Sequence, residues 1–86
     1  LRILPSANGE QALIQRVATL KPYRGQGYAR KLMIQVLDFL HAQHFKIVEL
    51  HAQIQAIPFY EKLGFEPFGD IFLDADIQHI AMKKTV

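Results

Sequence analysis

The residues best placed to do chemistry in this sequence begin at Arg24-Gly25-Gln26-Gly27-Tyr28-Ala29-Arg30, with Lys21 before the stretch and Lys31 after it. An apolar, β-branched run from Ala12 to Leu20 leads in. Beyond it Ala29, Leu32, Met33, Val36, Leu37 and Leu40 recur at helical spacing to about residue 43. A strand that feeds a helix through two glycines makes an anion cradle. The first N–H groups of a helix lack internal acceptors and sit at the positive end of its dipole, and Gly25 and Gly27 let a ligand approach the backbone. A pyrophosphate fits such a cradle. Helix geometry cannot point Lys21, Arg24, Arg30 and Lys31 all at one ligand, and the same letters also suit a sharp turn with no ligand. A P-loop is excluded because Gly-Lys-Ser/Thr does not occur. A dinucleotide fingerprint lacks its third glycine where Arg30 stands, although Glu49 lies at a tolerable distance for a ribose contact.

A second stretch, Ala56 to Phe65, reads as a short helix over Ala56–Leu63, with Pro58 in its first turn and Gly64 just past its end. Tyr60 lies on its apolar face with Ala56, Phe59 and Leu63, where it serves either as core packing or as a buried phenol able to hold a proton near neutral pH. Four histidines titrate near neutrality. His79 and His51 fall in strand-like segments, whereas His41 and His44 sit at the end of the long helix and suit its negative pole. No pair of them has metal-ligand spacing, so no metal is expected.

The elements that position these groups follow from periodicity. Leu1–Leu4 reads as the end of a strand, Pro5–Gln11 as a hairpin loop bearing Asn8-Gly9, and Lys46–Gln53 as an alternating strand. Pro67–Lys84 reads as two strands around Asp74-Ala75-Asp76. The order β-β-α-β-α-β-β predicts an α/β (α+β) unit, a mixed twisted sheet flanked by helices, in which a right-handed crossover makes two strands parallel. With 86 residues, one domain over 1–86 is the most the chain can hold, and a partial one is expected.

The absence of cysteine excludes disulfides and thiolate chemistry, and the longest uncharged stretch, Leu50–Tyr60, has 11 residues, so no membrane span and a cytoplasmic location are expected. Residues 1–31 carry six basic side chains against Glu10 alone, which places any anion-binding role in the first third. No aromatic stripe interleaves with those cations, so a nucleic-acid partner is not expected.

Val17-Ala18-Thr19, then Arg24-Gly25-Gln26-Gly27-Tyr28-Ala29, then Phe59-Tyr60-Glu61-Lys62-Leu63-Gly64-Phe65, together resemble the GCN5-related N-acetyltransferase (GNAT) superfamily. The first loop is similar to the family's Gln/Arg-x-x-Gly-x-Gly/Ala loop through Arg24, Gly27 and Ala29. The helix is similar to its Ala-x-x-Phe-Tyr-x-x-x-Gly-Phe motif through Ala56, Phe59, Tyr60, Gly64 and Phe65. The segments Leu50-His51-Ala52-Gln53 and Asp76 to Met82 resemble the ElaA-like branch. The resemblance covers roughly Ala12 to Met82.

This resemblance implies acetyl transfer from acetyl-coenzyme A to a primary amine of a small molecule or peptide, by direct attack. It implies that residues 24–30 hold the coenzyme A pyrophosphate, and that backbone at Val17, Ala18 and Thr19 binds the pantetheine arm as an added strand. Tyr60 would be the acid that protonates the sulfur, and His79, at a position kept in the ElaA-like branch, the first candidate for the base. Gln53 stands where relatives place an asparagine that contacts the arm, so that contact is expected to differ. The strands and helices that normally precede these motifs are not in the sequence, so the chain resembles the cofactor-binding half of the domain. Either a preceding segment or a homodimer is expected to complete it, and the alternative is a coenzyme A-binding module without catalysis.

Overall fold

The computed structural model describes residues 2–15 and 26–86. Strand β1 (Arg2–Pro5) and strand β2 (Gln11–Gln15) form an antiparallel hairpin. Its loop is closed by Ser6 N–H on the Gln11 carbonyl at 2.8 Å, and Asn8 Oδ1 accepts from Ser6 Oγ and from the Glu10 amide. Gly9 takes the left-handed φ of +72° that this loop requires. Helix α1 (Gln26–Ala42) then crosses to strand β3 (Ile47–Gln53), which pairs parallel with β2, as the crossover predicts.

Helix α2 is shorter than expected. A 3₁₀ turn at Ile54–Ala56 precedes it, α2 itself covers Ile57–Glu61, and residues 62–64 form its closing turn. Strands β4 (Glu66–Asp74) and β5 (Ile77–Thr85) complete a five-stranded sheet in the order β1-β2-β3-β5-β4. Ala75 and Asp76 both have positive φ, the signature of a two-residue primed turn, as the Asp74-Ala75-Asp76 reading implied. The strand expected over Ala12–Leu20 is seen as Gln11–Gln15, and its later half lies outside the described residues.

Alternation assigns the two faces of the sheet. Ala12, Ile14, Val48, Leu50, Ala52 and Met82 are buried and share one cluster with Met33, Leu37 and Leu40 of α1 and with Tyr60, Leu63 and Phe65 around α2. Both helices therefore cover the same face. The register puts Leu13, Glu49, His51, Gln53, Phe72, His79 and Ala81 on the other face, over which no described helix lies. Tyr28 and Phe39 on α1, each 55% exposed, carry apolar surface outward, and β1 and β4 are the sheet edges, both as expected from the sequence.

Both helices end by the same device. At the end of α2 the Phe65 amide donates to the Tyr60 carbonyl (3.1 Å) and the Gly64 amide to Glu61 (3.0 Å). At the end of α1 Phe45 donates to Leu40 (3.1 Å) and His44 to His41 (3.0 Å). These are Schellman motifs, each with a left-handed residue at its turning point: Gly64 at φ +93° and His44 at φ +69°. His41 occupies the last turn of α1, and His44, just past its end, is the turning residue. Glycine accepts that φ without a Cβ clash, and at 64 a Cβ would also meet the Lys84 ammonium at 2.5 Å.

Two stability predictions follow from these placements. Leu50→Ala, at a fully buried position in the cluster, should cost about 2–5 kcal/mol by denaturant titration, against less than about 0.5 for exposed Leu73→Ala. His44→Gly should raise stability by roughly 0.5–1 kcal/mol by relieving the left-handed backbone, while Gly64→Ala should lower it by about 1 kcal/mol or more.

Candidate functional site

The candidate site gathers at the C-terminal end of β3. The parallel ladder between β2 and β3 is recorded from Gln11–Ile47 to Ile14–Leu50, whereas β3 continues through His51, Ala52 and Gln53. The sequence after β2 includes Val17, Ala18, Thr19, Arg24 and Gly25. All five expected cofactor contacts lie outside the described residues.

The other half of the expected cradle is described. Gln26 and Gly27 open α1, so their amides belong to the first turn, where N–H groups have no helical acceptor. Among the described residues, a Cβ built on Gly27 would meet nothing within 4 Å, which leaves room for an anion to approach this backbone. Tyr28 and Arg30 are exposed near the start of α1, and Ala29 is half-buried. No acidic side chain occupies the first turn to compete with an anion. Gln53, at the end of β3, accepts a hydrogen bond from the Gln55 amide at 2.6 Å and stands opposite His79 across the β3–β5 ladder.

Tyr60 is fixed from three sides. It is 6% exposed, its ring meets Phe59 edge-on at 5.1 Å and Phe65 edge-on at 6.0 Å, and its carbonyl receives the Phe65 amide. The Phe-Tyr and Gly-Phe halves of its motif thus have a physical basis. Gly64 permits the reversal of the chain, and the reversal brings Phe65 back onto Tyr60, the hydrophobic contact that accompanies a Schellman motif. Burial pushes the Tyr60 phenol up from 10.0 to about 12, because phenolate would lose its hydration there.

His79 sits on the opposite face of the sheet. Its Nδ1 lies 2.8 Å from the Ile77 carbonyl, which in the neutral ring makes Nδ1 the donor and leaves Nε2 as the acceptor. Phe72 of β4 stacks on it at 5.9 Å with planes 24° apart and meets His51 edge-on at 5.2 Å. His51 in turn holds Nε2 3.4 Å from Glu49 Oε2. Tyr60 and His79 are therefore not neighbours: they approach the end of β3 from the two sides of the sheet. Phe72 was not picked out as a site residue from the sequence, and Glu49 only for a ribose contact in the incomplete dinucleotide fingerprint. The one available signal was Gly69 within a strand, a mark of irregular pairing. Among the described residues, no group of three His, Asp or Glu side chains could hold a metal ion.

Comparison with known proteins now has a geometry to meet. The acetyltransferase (GNAT) domain family matches residues 6–86. YyaT of Bacillus subtilis (strain 168), an uncharacterized protein, is 31% identical over 78 residues, covering 91% of this chain and 53% of YyaT. The crystal structure of Escherichia coli ElaA is 34% identical with a TM-score of 0.79, over 96% of this chain and 56% of ElaA. An acyl-CoA N-acyltransferase from Pseudomonas aeruginosa superposes with a TM-score of 0.75 at 27% identity, over 96% of this chain and 57% of that one. The mixed sheet with its two helices is thus the acyl-CoA N-acyltransferase fold, and the chain spans about half the length of the relatives it matches.

The raised Tyr60 phenol has a measurable consequence. Between pH 10 and about 12 the folded chain keeps a proton that the unfolded chain has released, so stability present below pH 10 should fall by about 1.4 kcal/mol per pH unit across that interval. Tyr60→Phe removes the titrating group and keeps the ring, so this one-proton contribution should disappear when denaturation midpoints are followed against pH.

Proposed function

The chain belongs to the GNAT acetyltransferase family, and from that membership we propose that it takes part in transferring the acetyl group of acetyl-coenzyme A to a primary amine of a small molecule or peptide. The observation that carries this reading is the extent of the family match, residues 6–86, which takes in both the glycine-bearing loop and the Tyr60 helix.

The residues fit an acyl-coenzyme A ligand in three respects. The amides of Gln26 and Gly27 head a helix, with nothing among the described residues crowding Gly27, suited to a diphosphate, and Arg24, Gly25, Tyr28, Ala29 and Arg30 are assigned to the same ligand. We assign the amide-rich arm to main-chain groups at Val17, Ala18 and Thr19 and to Gln53 at the end of β3. Tyr60 supplies a protonated phenol. Bound there, the thioester would supply an activated acyl carbon.

The two faces of the sheet then divide the proton work. Direct attack on an acyl carbon needs a base on the side of the entering amine and a donor on the side of the departing sulfur. His79, with Nε2 as acceptor, faces one side, and Tyr60 belongs to the other. A phenol raised to about 12 is a poor source of a fully transferred proton for a thiolate whose acid has a value near ~8.5. Tyr60 therefore acts chiefly by hydrogen-bonding the charge that develops on sulfur, a contribution strengthened by its dry surroundings. A cytoplasmic location accords with the lack of cysteine, and no described helix is long and apolar enough to cross a membrane.

Calorimetric titration of the intact protein with acetyl-coenzyme A, followed by thiol release on adding amines, tests the reading. Binding with amine-dependent release is expected, and Tyr60→Phe should keep the binding while lowering kcat by about 10²-fold. Binding without release under any amine would favour a coenzyme A-binding module, and no binding at all would overturn the assignment.

A further inference from the structure

The pairing of β4 with β5 changes register in mid-strand. Glu66, Pro67 and Phe68 stand opposite Lys83, Met82 and Ala81, but after the irregularity Phe72 stands opposite His79. In an unbroken ladder the residue facing His79 would be Asp70. Gly69, at φ +76°, begins the bulge that inserts two extra residues and so keeps Phe72 on the same face as Phe68. The bulge thus replaces a carboxylate with an aromatic ring across from an imidazole. The exchange puts a flat ring, able to pack against the imidazole, where an unbroken ladder would put a carboxylate.

The ring delivered by the bulge touches both histidines of the open face, lying stacked on His79 and edge-on to His51. With Nδ1 at the Ile77 carbonyl, His79 is held at one edge and along one face. Its Nε2 has no protein partner among the described residues, although the ring is only half-buried. A lone imidazole on a strand would turn about its side-chain bonds, whereas this one has a fixed tautomer and a fixed plane.

We propose that Phe72 is a positioning residue for the acetyl transfer. Carried by the Gly69 bulge, it clamps His79 so that Nε2 faces the end of β3, where it accepts the proton lost by the attacking amine. The amine nitrogen forms its bond to the acyl carbon, the proton passes to Nε2, and the electron pair of the broken C–S bond leaves with the sulfur. This rests on the function proposed above.

The test compares wild type, Phe72→Leu and Phe72→Tyr in the intact protein. Phe72→Leu keeps apolar bulk but loses the flat ring. It should lower kcat by about ten- to a hundredfold with little change in the KM for acetyl-coenzyme A, and Phe72→Tyr should restore it. Proton and nitrogen NMR of the His79 ring gives a readout independent of turnover: the Nδ1–H tautomer and a ring-current shift in wild type, with the shift lost in Phe72→Leu and regained in Phe72→Tyr. An unchanged kcat in Phe72→Leu overturns the proposal, as does a His79 ring whose shift and tautomer ignore the substitution. A wild-type protein that transfers no acetyl group would defeat the functional reading, while the NMR comparison would still decide whether the clamp exists.

Discussion

Burial of one apolar face of the sheet is the constraint on which the rest of this structure depends. The large side chains in the core come from the inward positions of β2, β3 and β5, from the helices that close over them, and from Leu63 and Phe65 just past α2. Because α1 and α2 share that face, the alternation that sends Val48, Leu50 and Ala52 inward must send Glu49, His51 and Gln53 outward. The polar side of β3 is thus a geometric consequence of filling its apolar side. A shift of one residue in the parallel pairing would bury the histidine and expose the leucine, and the hydrophobic effect forbids it.

The same constraint explains why the two titratable candidates are so unlike. Tyr60 is held in the dry layer, where desolvation keeps its proton and aromatic neighbours fix its plane. His79 is held by one carbonyl and one ring on the open layer, half-buried and within reach of solvent. A sheet is a thin partition, and its end is where groups from both sides can act on one bond.

Much of the architecture was legible in the sequence because it is written in local periods. Helix α1 follows from apolar residues repeating at helical spacing, the parallel crossover from strand, helix and strand in succession, and the β4–β5 turn from Asp74-Ala75-Asp76. The arrangement on the open face was not legible, because it depends on cross-strand register. Nothing local to Phe72 says that it faces His79 instead of Ile77, and the bulge that decides this is marked only by Gly69. The left-handed role of His44 was hidden for a related reason, since histidine is not the residue that announces such a turn. The glycine-bearing loop is the reverse case: its motif is plain in the letters, while Arg24 and Gly25 lie outside the described part of the structure.

One small junction carries weight beyond its size. The carbonyl of Glu10 accepts from the amides of both Lys46 (2.7 Å) and Ile47 (3.1 Å), and the two side chains meet again at 3.3 Å between Nζ and Oε1. Within the sheet, the first hairpin and the β3–β5–β4 group are joined by the parallel β2–β3 pairing, and closing it means bringing together parts of the chain separated by all of α1. The amide hydrogens of Lys46 and Ile47 are therefore natural reporters of assembly. Their exchange with solvent deuterium would register the moment the two halves lock, separately from the birth of either half.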